Sequence, residues 1–229
     1  MEIKNAPVIM QAEETDKISD ISRRRFFQLA GGLAGAGLLV SSCHSRSGPT
    51  DTYIGSGDIG LLNFLYILEQ IEAAFYTQAY ATPYYGMTES EMQLLLDVRD
   101  QEIAHREFFK RILGTSAIAA ISLDFSLITF ADRTSVLTYA AIFEDMVISG
   151  YNGAAHLFIN TDYVLTLSKM VTVEARHSAY FRDILNHNNF AGSNVVDSNG
   201  LDQAISPATV LATAKTYIHT HFDSSRLPN

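Results

Sequence analysis

Glu102-Ile103-Ala104-His105-Arg106-Glu107-Phe108-Phe109-Lys110-Arg111-Ile112-Leu113 and Glu174-Ala175-Arg176-His177-Ser178-Ala179-Tyr180-Phe181-Arg182-Asp183-Ile184-Leu185 are nearly the same phrase. In this register Glu, His, Phe, Ile and Leu coincide, while Phe/Tyr and Lys/Arg exchange conservatively. Residues three apart share one face of a helix, so in each copy the carboxylate and the imidazole can reach a common point. The upstream segments repeat as well. Glu69 is followed seven residues later by Tyr76, and Glu144 seven later by Tyr151. Glu69 and Glu102 are 33 residues apart, Glu144 and Glu174 30 apart. The chain therefore reads as two copies of a Glu-bearing helix followed by a Glu-x-x-His helix. One Glu-x-x-His pair arises easily by chance; two, each behind a matching Glu-helix, are a constellation.

Outward from the repeat, the pattern is helical. Leu61, Leu65, Leu68, Phe75 and Ala79 recur at helical spacing from about Gly57 to Ala81, and Pro83 and Gly86 break the run. Thr88-Glu89-Ser90-Glu91 is a capping box that opens a second helix, which Gly114 stops after Leu113. Asp132 to Thr134 offers an N-cap for a third helix reaching about Ile159. Asn160-Thr161-Asp162 makes a tight turn, and a fourth helix runs to about His187. A short fifth helix starts at Pro207 behind Ser206. The connections are about 7, 18 and 3 residues, and short ones make antiparallel neighbours. The middle one, apolar from 115 to 132, reaches about 60 Å when extended, longer than the ~38 Å of a 25-residue helix. The expectation is an all-α four-helix bundle of two antiparallel helix pairs joined by a long crossover, with a short C-terminal fifth helix.

In such a bundle Glu69 and Glu102 sit at similar depth, about 18 and 21 Å from the turn that joins their helices. Glu144 and Glu174 match in the same way. Glu72 lies nearer the helix end and lacks a Tyr seven residues on, so Glu69 is the favoured ligand. Glu72, on a neighbouring face, stays open as an alternate ligand or as a group supporting one. Four carboxylates and two imidazoles then share the interior. Two divalent cations would balance four carboxylates; without them, several like charges are held out of water. Oxygen ligands with imidazole suit iron and manganese without choosing between them or excluding zinc. Tyr76 and Tyr151 read either as hydrogen-bond partners near the site or as core aromatics. His156, His187, His219 and His221 have no repeat partner and read as surface residues.

The 229 residues carry 25 acidic and 16 basic side chains, a formal charge of −9, and 47% apolar residues. That suffices for one sizeable core and excludes a disordered chain. The acidic balance excludes a nucleic-acid binder. A single Cys excludes a disulfide framework and a thiolate-based zinc site. Ser22-Arg23-Arg24-Arg25-Phe26-Phe27 precedes a 12-residue apolar run, Leu29 to Val40, too short for a spanning helix. This reads as an export signal of twin-arginine type, a route for folded proteins. Val40-Ser41-Ser42-Cys43 looks like a lipobox, with Cys43 as the lipidation site; the alternatives are an ordinary cleaved signal with an incidental Cys, or an amphipathic N-terminal helix. The expected organisation is a signal peptide at 1–42, lipidated Cys43 and a flexible tether at 43–57, the bundle at 58–190, and a C-terminal extension with a short helix at 191–229.

Over about residues 58 to 190 the sequence resembles the ferritin-like superfamily: bacterioferritins, rubrerythrins, and exported ferritin-like proteins that include the desiccation-related group. Leu68-Glu69-Gln70-Ile71-Glu72-Ala73-Ala74-Phe75-Tyr76 resembles the first helix of that last group. The resemblance implies a ferritin-like four-helix bundle in which Glu102 and Glu174 bridge two metal ions. His105 and His177 would then be terminal ligands, and Glu69 and Glu144 would complete the two ions. It also implies redox chemistry of iron or manganese with O2 or H2O2, ferroxidase- or peroxidase-like, in stress protection. A rubredoxin-like set of Cys pairs is absent from the sequence, and the anchor and the tail after residue 190 fit poorly with a 24-subunit cage. Further readings stay open: a non-catalytic envelope protein with a structural or absent metal, and anchored iron capture without a cage. The expected partners are the membrane through Cys43, an unidentified electron donor and a second copy of the chain as a homodimer. The expected location is the bacterial cell envelope or periplasm.

Overall fold

Local chemistry starts and stops each helix. In the computed structural model, which describes residues 51–229, α1 (Gly57–Ala81) and α2 (Glu89–Leu113) form the first hairpin. The Thr88 hydroxyl accepts from the Glu91 amide and the Glu91 carboxylate accepts from the Thr88 amide, so the expected capping box is present. Gly114, at φ 55, terminates α2 in a conformation that costs a glycine little. Asp132 caps α3 (Arg133–Ala155), Asn160 caps α4 (Thr161–Leu185), and Ser206 with Pro207 opens α5 (Pro207–Ala214). The signal segment 1–42, the lipidation site Cys43 and the start of the tether lie outside the described residues.

Two helices end earlier than periodicity implies. The third stops at Ala155 rather than Ile159, because Asp58 of α1 takes the amides of Ile159 and Asn160 on its two carboxylate oxygens. The fourth stops at Leu185 rather than His187. Asp183 accepts from the Asn188 amide, and Asn188 turns the chain at φ 69. The expected tether is also shorter. Thr52–Tyr53 (β1) pairs in parallel with Phe222–Asp223 (β2), and Ile54 is fully buried. From Thr52 on, the segment belongs to the packed structure.

α1 packs on α2 and α3 packs on α4, and the two hairpins meet through α1 and α3. α1 and α3 are consequently apolar on nearly every side, whereas α2 and α4 bury one stripe each. This is the ferritin-like arrangement with a short fifth helix. The long crossover is held to α1 by two buried amides one stripe apart. Asn63 donates to the Ser116 carbonyl and accepts from the Ile118 amide, and Gln70 accepts from the Ile121 amide. The crossover then runs beside the C-terminal segment, bonded at Ser122 and Asp124 to residues 217–220. Phe75, Phe125, Phe130, Phe143 and Tyr217 form one aromatic cluster of edge-to-face and tilted contacts. Among the described residues no helix is long and apolar enough to cross a membrane.

Candidate metal centre

The four helices bring all six repeat residues to one place. Glu69 (α1), Glu102 (α2), Glu144 (α3) and Glu174 (α4) are fully buried, and the two histidines nearly so. Their ligand atoms form two groups, each within 4.8 Å: Glu69, Glu102, His105 and Glu174, and Glu102, Glu144, Glu174 and His177. Only Glu102 and Glu174 belong to both, and each turns one oxygen to either side. Glu102 lies 3.2 Å from His105 Nδ1 through Oε2 and 3.0 Å from His177 Nδ1 through Oε1. Glu174 lies 2.6 Å from His105 Nδ1 through Oε1 and 3.3 Å from His177 Nδ1 through Oε2. Each of these two carboxylates therefore faces both groups, and each imidazole turns its Nδ1 to the cluster. Glu69 and Glu144 close the ends, 3.6 and 3.5 Å from the same two nitrogens.

The tyrosines are exchanged between the hairpins. Tyr76 of α1 donates to Glu144 Oε1 of α3 at 2.5 Å, and Tyr151 of α3 donates to Glu69 Oε1 of α1. Tyr76 stacks on Phe181 of α4, and Tyr151 meets Phe109 of α2 edge to face. Phe109 and Phe181 are themselves repeat counterparts, so packing carries the sequence repeat into a local two-fold. Each terminal carboxylate has one oxygen held by a phenol and the other turned to the centre. Among the described residues the unrepeated histidines 156, 187, 219 and 221 are exposed, as their lack of repeat partners implies.

Burial and mutual repulsion set the protonation of this cluster. Burial raises Glu69 and Glu72 well above the ordinary carboxylate range, and neighbouring carboxylates add to it. Burial likewise pushes Glu144 up to about 8, against the pull of His177. Burial alone would raise Glu174 too, but His105 and His177 prevail and bring it down to about 2. Both imidazoles are raised despite burial, by the carboxylates around them. Protons thus take the places in which cations would sit.

Two residues go beyond the sequence reading. Glu72 does not join either ligand group, yet it is fully buried with neither oxygen hydrogen-bonded. Gln101, which the repeat does not flag because its counterpart is Val173, accepts from His177 Nε2 at 3.1 Å. With Gln101 Oε1 as the acceptor Nε2 keeps its proton, and Nδ1 is the nitrogen turned to the cluster.

The donor set, carboxylate oxygens with imidazole nitrogen, suits hard to borderline divalent cations. Ten buried side-chain polar atoms among the described residues lack a hydrogen-bond partner, and eight belong to Glu69, Glu72, Glu102, Glu144, Glu174 and His177. Buried polar groups in proteins are otherwise almost always satisfied. Here the only hydrogen bond between the six repeat residues is the one from His105 Nδ1 to Glu102 Oε2, and the eight atoms converge without one. Comparison with known proteins gives one family match: a model described as a ferritin-like domain covers residues 57–187, more than half of the chain. No curated protein matches.

Proposed function

Because the chain belongs to the ferritin-like domain family, we propose that its buried cluster holds two divalent iron or manganese ions for redox chemistry with O2 or H2O2. The observation that carries this reading is the concentration of eight unpartnered buried polar atoms in one cluster of carboxylates and imidazole. Left empty, such a cluster is a cost to the fold; with two cations the six orphaned atoms of Glu69, Glu102, Glu144, Glu174 and His177 would gain partners. In the reduced state the pair would supply two electrons to the oxidant.

The residues of the chain have separate tasks. Glu102 and Glu174 span both positions, and the two histidines offer Nδ1 from opposite sides. Tyr76 and Tyr151 hold the outer oxygens of Glu144 and Glu69, which fixes the carboxylate rotamers and leaves the inner oxygens free. The apolar walls of α1 and α3 exclude bulk water, which strengthens charge interactions inside. As part of the same proposal, residues 1–43 serve as a twin-arginine lipoprotein signal that delivers the folded, loaded bundle to the cell envelope and anchors it through Cys43.

Turnover tests the reading. Protein loaded anaerobically with Fe(II) should consume O2 or H2O2 under multiple turnovers with an added reductant, and His177→Ala should lose both metal and turnover while keeping its helical circular dichroism. Loaded protein that consumes neither oxidant is a metal-holding protein without this chemistry. Mass spectrometry of the N-terminal peptide from a membrane fraction checks the anchor: diacylglycerol on Cys43 is expected, and an unmodified Met1 terminus in the cytoplasm contradicts it.

A further inference from the structure

One face of α1 is covered, and the face of α3 that matches it in the repeat is not. In α1, Ile67 and Ile71 are fully buried, and Gln70 between them takes the Ile121 amide of the crossover. In the register that aligns Glu69 with Glu144, the counterparts of these three are Ile142, Met146 and Asp145. On α3 the cover is the C-terminal extension, which lies beyond the family domain and does not fill the space. A recess of about 240 Å³ remains between α3, residues 194–205 and α5, and Ile142 at its edge is 40% exposed. Its walls are fastened. Arg182 bonds Asn194, the Ile205 amide donates to the Ser149 carbonyl, and Asn152 donates to the Gln203 carbonyl. None of the carboxylates and imidazoles of the buried cluster lines it.

The lining has two chemical characters. Met146, Ile205 and Val210 supply apolar wall. The polar groups are mostly acceptors: Asp145 and Asp202 both line the recess, and no Lys, Arg or His does. Arg182, outside the lining, pairs with Asp145 at 2.7 Å, whereas the exposed Asp202 has no cation partner among the described residues. Ser149 and Thr213 commit their hydroxyl protons to the Met146 and Thr209 carbonyls, which leaves them lone pairs. An acceptor-rich recess with apolar walls and an unbalanced negative charge complements a positive donor that carries an apolar body. We propose that this recess is a binding site for a small organic ammonium, whose apolar body lies against Met146, Ile205 and Val210 and whose ammonium donates to Asp202 and Asp145. A cavity of about 150 Å³ already takes benzene, so the recess has room for a ring with its ammonium. Walls drawn from three segments suit a free molecule better than a lysine presented on a partner's surface.

Benzylamine, an ammonium at pH 7, is the probe, and calorimetry with the full chain is the readout. Saturable binding of one molecule per chain is expected, with a dissociation constant on the order of 1 mM or tighter. Benzyl alcohol, which keeps the ring and loses the charge, should bind about tenfold more weakly, and benzoate should not bind. Asp202→Asn should weaken benzylamine about fivefold and leave benzyl alcohol unchanged. Thr213→Trp, on the exposed side of α5, should fill the recess and abolish binding of both. Each variant should keep its helical circular dichroism and its metal content. Crystals soaked with 4-bromobenzylamine should show the bromine anomalous peak against Met146 and Val210, with the ammonium at hydrogen-bond distance from Asp202. Several results would overturn the inference: no saturable binding of benzylamine, benzyl alcohol bound equally well, indifference to Asp202→Asn, or binding that survives Thr213→Trp. A lysine-bearing peptide that binds where benzylamine does not would also overturn it, in favour of a protein partner. None of these results bears on the buried metal cluster.

Discussion

Replacing Glu144 with Gln should stabilise the metal-free protein while disabling the centre. The carboxyl is fully buried, and its folded pKa stands at about 8 against an ordinary value of 4.5. Between those values the folded, metal-free chain keeps a proton that the unfolded chain releases. Stability therefore declines as pH rises through this window, the sign expected for a raised carboxyl. At ~1.4 kcal/mol per unit of pKa difference, the group costs the empty fold on the order of 3 kcal/mol at pH 7, and a little under ~1 kcal/mol at pH 5. Gln cannot ionise, keeps the side-chain volume, and still offers an oxygen to the Tyr76 hydroxyl. Urea unfolding of metal-stripped protein, followed by helical circular dichroism at pH 5 and pH 7.5, measures the difference. The variant should match the unmodified protein at the lower pH, exceed it by a few kcal/mol at the higher, and bind fewer ions. A variant that is equally or less stable at pH 7.5, with the pH dependence unchanged, would refute the reasoning that burial of this charge opposes the fold.

Other consequences are open to measurement. Loading must displace the protons held by Glu69, Glu144, His105 and His177, all raised in the empty protein. Mn(II) affinity should then rise between pH 6 and pH 8 with proton release seen calorimetrically, and an affinity flat across that range would contradict it. Arg182 is buried, pairs with Asp145 at 2.7 Å and bonds Asn194 at 2.6 Å, so it fastens the C-terminal extension to α3 and α4. Arg182→Met should cost about 3 kcal/mol and expose residues 188–199 to protease, with metal stoichiometry intact; a loss of metal without new cleavage would show that the residue acts elsewhere. Gly153 faces the carbonyl of Ile205 so closely that an added Cβ would stand 1.8 Å from it. Gly153→Ala should therefore displace the segment before α5 and lower the melting temperature by several degrees, about 4 °C per kcal/mol lost; an unchanged melting temperature would mean that the segment is not docked there.

What was legible in the chain followed from periodicity and repetition. The doubled Glu-x-x-His phrase located four members of the buried cluster, the Glu-to-Tyr spacing located the other two carboxylates, and depth counting placed Glu69 ahead of Glu72. The helices and their caps at Thr88, Asp132 and Ser206 were equally readable, because capping is a local transaction between neighbours. What escaped depends on partners distant in sequence. The end of α3 is set by Asp58, about a hundred residues earlier, and the pairing of Thr52–Tyr53 by Phe222–Asp223. Gln101 acquires its role only when His177 of another helix arrives beside it. Asn63 and Gln70 look like flaws in an apolar helix until the crossover lies along them. The exchange of Tyr76 and Tyr151 between hairpins is likewise a property of the two-fold packing, not of either helix.

The central claim is that the converging buried carboxylates and imidazoles are ligands. Counting metals by mass spectrometry in protein purified without chelators or a histidine tag tests it most directly. The account predicts about two iron or manganese ions per chain, one for each ligand group, lost in Glu102→Ala while the helical signal persists. A folded, helical protein that remains free of metal after anaerobic exposure to Fe(II) and Mn(II), or one that keeps full occupancy in Glu102→Ala, would contradict it.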